Sequence, residues 1–376
     1  MTKRIDVIIP AHRAHSTLKL TLESLAAQTI ANELDVLIVD DACPEGSYDD
    51  VAAPFRSGMS VRLIRLPDNA GPGGARQAGI DASDNPYFTC IDADDTFTSP
   101  GSLEKLRDAM DKDDSVQRCG GALVVFNSLG EPTPQIPYNV SMDGKLFRRS
   151  FVERYRLRFN GTRANEDYGY NLAVDLLCDN DNERTEVLNE AVVNVSFNPD
   201  SITRSGSGQF AWDQRLCGFI DNSIWALDLA AGYRPSSDSL HVEILRILLV
   251  VYSYWCIIAA NAPEYAEQAW EYAKKYYHLT YRRYYHPAYA SMEKKLTPET
   301  TPQIFRVLEK NGYFALPKGV KPSIGFKEFL ERMRNEEYDP MHIYDVWAEM
   351  AKSPEMRARM ALNEEIGVCE RGYAEK

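Results

Sequence analysis

Three clusters of side chains in this chain are of types and spacings that could do chemistry. Asp40-Asp41 follows the apolar run 34–39, and Asp92-Ala93-Asp94-Asp95 follows the aromatic-apolar run 87–91. A carboxylate at a strand end can accept from a base or ribose, and two carboxylates one residue apart can share a hard divalent cation whose other ligands are phosphate oxygens. The plain alternative is that aspartates end strands because they favour turns. Like charges as dense as those at 92–95 repel unless a cation neutralises them, which favours metal binding there. The third cluster is Asp68-Asn69-Ala70-Gly71-Pro72-Gly73-Gly74-Ala75-Arg76. It is neither a dinucleotide fingerprint, because Arg76 replaces the third glycine, nor a Walker A loop. Its glycines let the backbone approach a ligand, and Arg76 can pair with phosphate or with the aspartates; a simple tight turn reads equally well.

The elements that must carry these residues follow from hydrophobic pattern. Apolar runs at 5–9, 34–39, 61–66 and 87–91 read as strands. Helical spacing fills 18–28, with Ser16 as N-cap, and 101–110. A turn at 71–74 leads into a short helix through Ala78, and 192–197 reads as a further strand. Strands alternating with helices predict a mostly parallel sheet flanked by helices, which binds ligands at the carboxyl ends of its strands. That rule selects Pro10 to Arg13, Asp40-Asp41 and the 92–95 cluster. Beyond about 210 the pattern turns helical and aromatic, which divides the chain into a catalytic domain, 1–210, and a helical C-terminal domain, 211–376. The apolar stretch 247–260 is shorter than the ~20 residues that span a bilayer, so no transmembrane segment is expected.

Composition narrows the function. The 376 residues carry a net charge of −13, from 42 basic and 55 acidic side chains, which disfavours general polyphosphate binding. Seven scattered cysteines with no C-x-x-C pair fit the reduced thiols of a cytoplasmic protein better than a disulfide framework or a zinc site. His12 and His15 are spaced as a possible metal pair, although histidines at a helix start are more often solvated.

The ordered motifs Val7-Ile8-Ile9-Pro10-Ala11, Leu37-Ile38-Val39-Asp40-Asp41, Asn69-Ala70-Gly71 with Ala75-Arg76-Gln77-Ala78-Gly79-Ile80, and Ile91-Asp92-Ala93-Asp94-Asp95 resemble the family-2 glycosyltransferases of the GT-A fold. The segment Gly144-Lys145-Leu146-Phe147-Arg148-Arg149-Ser150-Phe151, followed by Arg158-Phe159 and Glu166-Asp167, is similar to the family's acceptor-side region and its Glu-Asp motif. The resemblance covers roughly residues 1–210. It implies a nucleoside-diphosphate sugar donor, with a UDP-sugar the first candidate. Donor contacts are implied at Pro10, His12, Asp41, Gly74, Arg76, Asp92 and Arg204, with Asp41 on the base. Mn²⁺ or Mg²⁺ is implied on Asp92 and Asp94, and Asp167 as general base. His12-Arg13 departs from the aromatic-Asn pair usual after Pro-Ala.

The expected reaction is a metal-dependent displacement that inverts the anomeric centre. Taken alone, Glu166-Asp167 reads as an acidic pair favoured by a helix dipole, and Ser201-Ile202-Thr203-Arg204 as a solvated loop. Competing functions are a nucleotidyltransferase, which would want a triphosphate loop at the first strand, and a non-catalytic nucleotide-sugar-binding protein. Glycan, lipid-linked sugar, protein and modified nucleic acid remain open as acceptors, as does peripheral membrane contact. Tyr277, Tyr281, Tyr284 and Tyr285, interleaved with Lys274, Lys275, Arg282 and Arg283, are read as a tyrosine stripe packed on the 247–260 helix with solvated basic residues. An acceptor-binding or membrane-facing surface is the alternative.

Overall fold

The structure is a computed structural model that describes residues 4–133, 141–162, 164–180, 182–198, 210–261, 263–285 and 323–342, and all their side chains except those of 210–215 and 261. The chain divides into two compact units, Met1–Ser205 and Gly206–Lys376.

The first unit is built on an eight-stranded sheet in the order β3-β2-β1-β4-β7-β6-β8-β5. Its strands are β1 Ile5–Ala11, β2 Leu34–Asp40, β3 Ser60–Arg65, β4 Tyr87–Cys90, β5 Thr96–Phe97, β6 Val116–Val125, β7 Lys145–Arg148 and β8 Arg184–Val195. The half formed by β3, β2, β1 and β4 is parallel. The sheet as a whole is mixed rather than mostly parallel, because β7 runs antiparallel to both β4 and β6, and β5 antiparallel to β8. β6 and β8 pair in parallel across register shifts.

Alternation along β1 decides what packs on each face. Ile5, Val7, Ile9 and Ala11 join a core with Leu18, Leu22 and Leu25 of α1 (Leu18–Ala26) and with Leu103, Leu106 and Met110 of α4 (Ser102–Lys112). The short α2 (Asp49–Ala52) packs beside α1, and α3 (Gly71–Asp81) covers the opposite face of the sheet. A Cβ on Gly79 would lie 2.4 Å from Ile8 Cγ2, so only glycine lets α3 sit this close to β1. Thr17 rather than Ser16 precedes α1 as its N-cap residue. The glycines at 71–74 form the first turn of α3 instead of a separate turn.

The helices α5 (Arg149–Arg154) and α6 (Glu166–Leu177) follow β7. Arg118 of β6 anchors α6, donating to Asp175 at 2.6 Å and to Asn171 Oδ1 at 3.0 Å.

The second unit contains α7 (Phe210–Tyr233), α8 (Asp238–Asn261) and α9 (Ala266–Tyr276). α9 runs through a π-helical turn, Tyr277–Tyr281, into α10 (Arg282–Tyr284), and α11 (Phe326–Asn335) follows later in the chain. α8 is longer than the sequence suggested. By length and composition it could cross a membrane, yet 67% of its apolar window is buried inside the structure. Tyr252 of α8 packs on Phe326 and Phe329 at 5.2 and 5.0 Å, and Trp255 meets Trp270 at 5.0 Å. These contacts are those of a core helix.

Tyr277 and Tyr281 are buried, Tyr281 stacks on Tyr285, and the hydroxyl of neighbouring Tyr276 donates to the Ile244 carbonyl of α8 at 2.8 Å. Two of the basic residues read as solvated are in fact paired: Lys274 with Glu271 at 2.7 Å and Lys275 with Asp221 at 2.5 Å. Arg282 and Arg283 are exposed.

Candidate functional site

The carboxyl ends of β1, β2 and β4 converge as the parallel half of the sheet requires. Asp41 follows β2 and accepts the backbone N–H of Ala70 at 2.6 Å and of Gly71 at 2.9 Å. Those amides open α3, so Asp41 caps that helix from across the sheet. Exposed His12, just past β1, donates from Nδ1 to the Asp41 carbonyl at 2.9 Å. Pro10 is half-buried at the end of β1. Gly74 faces its own turn, where an added Cβ would lie 2.5 Å from Ala70 Cβ. Arg204 and the segment 201–203 lie outside the described residues.

Arg76 links the two acidic motifs. It is buried on α3, and its Nη2 donates to Asp92 while Nη1 donates to Glu166, each at 2.7 Å. Gly73 makes room for this, since a Cβ there would lie 2.8 Å from Glu166 Cγ. The 92–95 segment and the start of α6 therefore close on one guanidinium, although 74 residues separate Asp92 from Glu166 in sequence. Arg76 stays charged, because the flanking carboxylates hold its pKa well above normal against the effect of burial.

Around this fork the site gathers more carboxylates than the sequence reading assigned. Asp92, Asp95 and Asp143 each offer an oxygen within 4.8 Å of the others. Asp143 also accepts the Asp92 backbone N–H at 2.9 Å. Asp95 is buried and accepts from the Ser196 backbone at 2.9 Å. Burial and the neighbouring carboxylates push Asp95 up to about 10 and Asp143 up to about 7. Asp94 is half-buried and accepts from Asn198 Nδ2 at 2.8 Å. An all-carboxylate oxygen set suits Mg²⁺ or Mn²⁺.

Glu166 is pushed up to about 7 by burial and by Asp167, against the pull of Arg76. Asp167 is raised by burial, while Arg76, the Tyr168 N–H at 2.7 Å and Lys145 work in the other direction. Lys145 of β7 is buried, which lowers it to about 7 even with Asp167, Asp143 and Asp175 nearby. Sequence reasoning placed Asp95 in the 92–95 cluster and Lys145 in the acceptor-side segment without giving either a role, and did not name Asp143. The one local signal was Asp143-Gly144-Lys145 at the start of β7, which reads as an ordinary turn.

A mixed α/β sheet with acidic clusters at its strand ends, covered by helices, is consistent with a GT-A type fold. The family model described as "Glycosyl transferase family 2" matches residues 6–169, most of the first unit. Two relatives are the succinoglycan biosynthesis proteins ExoO and ExoU of Rhizobium meliloti (strain 1021). ExoO is 30% identical over 189 residues, 44% of this chain and 53% of that protein; ExoU is 30% identical over 193 residues, 44% and 54%. The chain thus spans about half the length of these relatives. Among solved structures, S. aureus TarS 1–349 in complex with UDP-GlcNAc aligns with TM-score 0.50 at 16% identity, over 82% of this chain and 80% of that one. That likeness speaks for the fold.

Proposed function

We propose that the protein is a metal-dependent, inverting glycosyltransferase that moves a sugar from a nucleoside diphosphate, UDP first among candidates, to an acceptor hydroxyl. The observation that carries this reading is the Arg76 fork, which joins Asp92 to the start of α6 and so puts Asp167 in the electrostatic reach of the acidic cluster. Asp92, whose side chain is 39% exposed, and half-buried Asp94 are the carboxylates that reach solvent. They would hold an exchangeable divalent ion, with buried Asp95 and Asp143 behind them. Such an ion, when bound, neutralises the diphosphate leaving group as a Lewis acid.

Asp167 takes the proton of the acceptor hydroxyl during attack. Burial raises its pKa, which strengthens it as a base, while Arg76, the Tyr168 N–H and Lys145 oppose that rise. Both Nη groups of Arg76 are engaged with carboxylates, so it acts as a positioning residue that aims Asp92. Asp41 shapes the start of α3, where the base would lie beside His12. A single base opposite the leaving group gives inversion. A glycan is the first acceptor to test, since two relatives are described as succinoglycan biosynthesis proteins.

Two substitutions test this reading. Asp94→Ala should weaken Mn²⁺-dependent UDP binding at least tenfold by calorimetry; unchanged affinity would remove Asp94 from the metal site. Asp167→Asn should leave UDP binding intact and lower turnover by roughly 10²–10⁴-fold. Retention of more than about a tenth of turnover is too much for a lost general base.

A further inference from the structure

His12 and His15 do not come together as a metal pair: His12 turns to Asp41, whereas His15 turns to the loop after β2. There His15 finds a different set of partners. Its Nε2–H donates to the Ser47 carbonyl at 3.2 Å, and its ring stacks on Tyr48 at 4.2 Å. With Nε2 carrying the proton, Nδ1 presents a lone pair. That atom is buried and makes no hydrogen bond. It faces Glu45 Oε2 at 3.3 Å, and the ligand atoms of His15, Cys43 and Glu45 all lie within 4.8 Å of one another.

We propose that His15, Cys43 and Glu45 form a zinc-binding site, separate from the acidic cluster, that clamps the loop after β1 to the loop after β2. The donor set is one nitrogen, one sulfur and one oxygen, which suits a borderline-soft ion such as Zn²⁺ and not the hard ions fitted by the aspartates. On a tetrahedral zinc ion with bonds of about 2.0–2.2 Å, nitrogen and oxygen ligands lie roughly 3.3–3.5 Å apart. The Nδ1 to Oε2 distance already has that value. The second ring nitrogen donates to a backbone carbonyl, the arrangement that fixes the tautomer of a metal-bound histidine.

Cys43 is buried, and its sulfur accepts the Arg13 backbone N–H at 3.3 Å. The Cys43 backbone N–H is itself fixed by Asp40 Oδ1 at 2.8 Å. An ordinary imidazolium–carboxylate pair would need Nδ1–H to point at Glu45, and no such hydrogen bond is made.

The test is a Co²⁺ titration of the chelator-stripped full chain, followed by Zn²⁺ displacement. Wild-type protein should develop a thiolate-to-cobalt charge-transfer band that one equivalent of Zn²⁺ removes. Glu45, at 53% side-chain exposure, can change without disturbing the core, so Glu45→Gln should keep the fold and lose at least tenfold in Zn²⁺ affinity. His15→Gln should do the same. Cys43→Ser should abolish the band; should this buried variant fail to fold, the other two carry the test. Asp94→Ala should keep the band, which separates this site from the acidic cluster. The proposal is overturned if the wild type shows no band, if the band survives in folded Cys43→Ser, or if Glu45→Gln and His15→Gln bind zinc as the wild type does.

Discussion

The two ends of the parallel half of the sheet use aspartates in opposite ways. At the amino ends of β1, β2 and β4, Asp6 accepts from Arg149 at 2.9 Å and from the Asn85 amide and backbone at 2.7 and 2.8 Å. Asp35 accepts two bonds from Arg4, at 2.9 and 3.0 Å, and one from Asn85 at 2.7 Å. Each carboxylate there has its own arginine. At the carboxyl ends, Asp92, Asp143, Glu166 and Asp167 share Arg76 and Lys145, and Asp95 has, among the described residues, only carboxylates as charged neighbours. The protonation states follow from this balance: Asp35 is pulled down to about 2, while Asp143 and Glu166 are pushed up to about 7. A balanced set of charges holds structure. A surplus of one sign that the chain itself leaves uncompensated marks a place for a cation from outside.

The largest expected effect breaks this contrast at its two arginines. Arg149→Met strands the buried carboxylate of Asp6 and should cost roughly 3–5 kcal/mol, measured by urea denaturation. Arg76→Met should cost a similar amount in the presence of a chelator, about 3–5 kcal/mol. The two should part company when Mn²⁺ is added. The ion supplies positive charge among the carboxylates of the Arg76 variant and recovers part of its loss, but has nothing to bind at the Arg149 end. Equal responses of the two variants to Mn²⁺ would show that the surplus is not a metal site.

A second experiment reads the same asymmetry in the unmodified protein through pH. Asp143 and Glu166 have folded pKa values near 7, above the usual carboxylate range. The folded state therefore binds protons that the unfolded state has released, and stability should fall as pH rises from about 4 to 7. A divalent ion competes with those protons. Added Mn²⁺ should flatten that fall and move the pH of greatest stability upward, as read from melting curves across a pH series. A stability profile that is indifferent to Mn²⁺ would count against the surplus being metal-compensated.

Much of this contrast was legible in the sequence at one end of the sheet. The apolar runs before Asp40-Asp41 and Asp92 to Asp95 announce strand ends, and a parallel sheet puts those ends together. What stayed hidden depends on long-range pairing. Asp143 and Lys145 join the site only because β7 inserts between β4 and β6, and a four-residue strand carrying a buried lysine has no local pattern that predicts such an insertion. The helix α3 was read too late for a related reason. Glycine and proline are poor helix formers, and the cap that offsets them is Asp41, about 30 residues earlier and on another strand. The Arg4, Asp35 and Asn85 set at the other end was likewise invisible, because its members belong to three separate strand starts.

The smallest expected effect sharpens the balanced end. Arg4 is the exposed arginine there, with a side chain 43% open to solvent. Burial raises Asp35, but its hydrogen bonds from Arg4, Ser60 and Asn85, together with the Arg4 charge, outweigh burial and bring it from 3.8 to about 2. A carboxylate whose folded pKa is depressed contributes stability that is complete above its unfolded value and is lost as pH falls through the folded one. For Asp35 that window runs from about 4 down to about 2. Arg4→Gln removes one partner and leaves Asn85 and Ser60 in place. At pH 7 it should cost no more than about 1 kcal/mol, as expected of a solvent-screened pair. The difference from wild type should shrink as pH falls from 4 to 2 and vanish once Asp35 is protonated in both proteins. Denaturation curves at pH 7, 4 and 2 test this directly. A loss comparable to that of Arg149→Met, or one that persists at pH 2, would mean that Arg4 holds the amino end of the sheet through its stem and not through its charge.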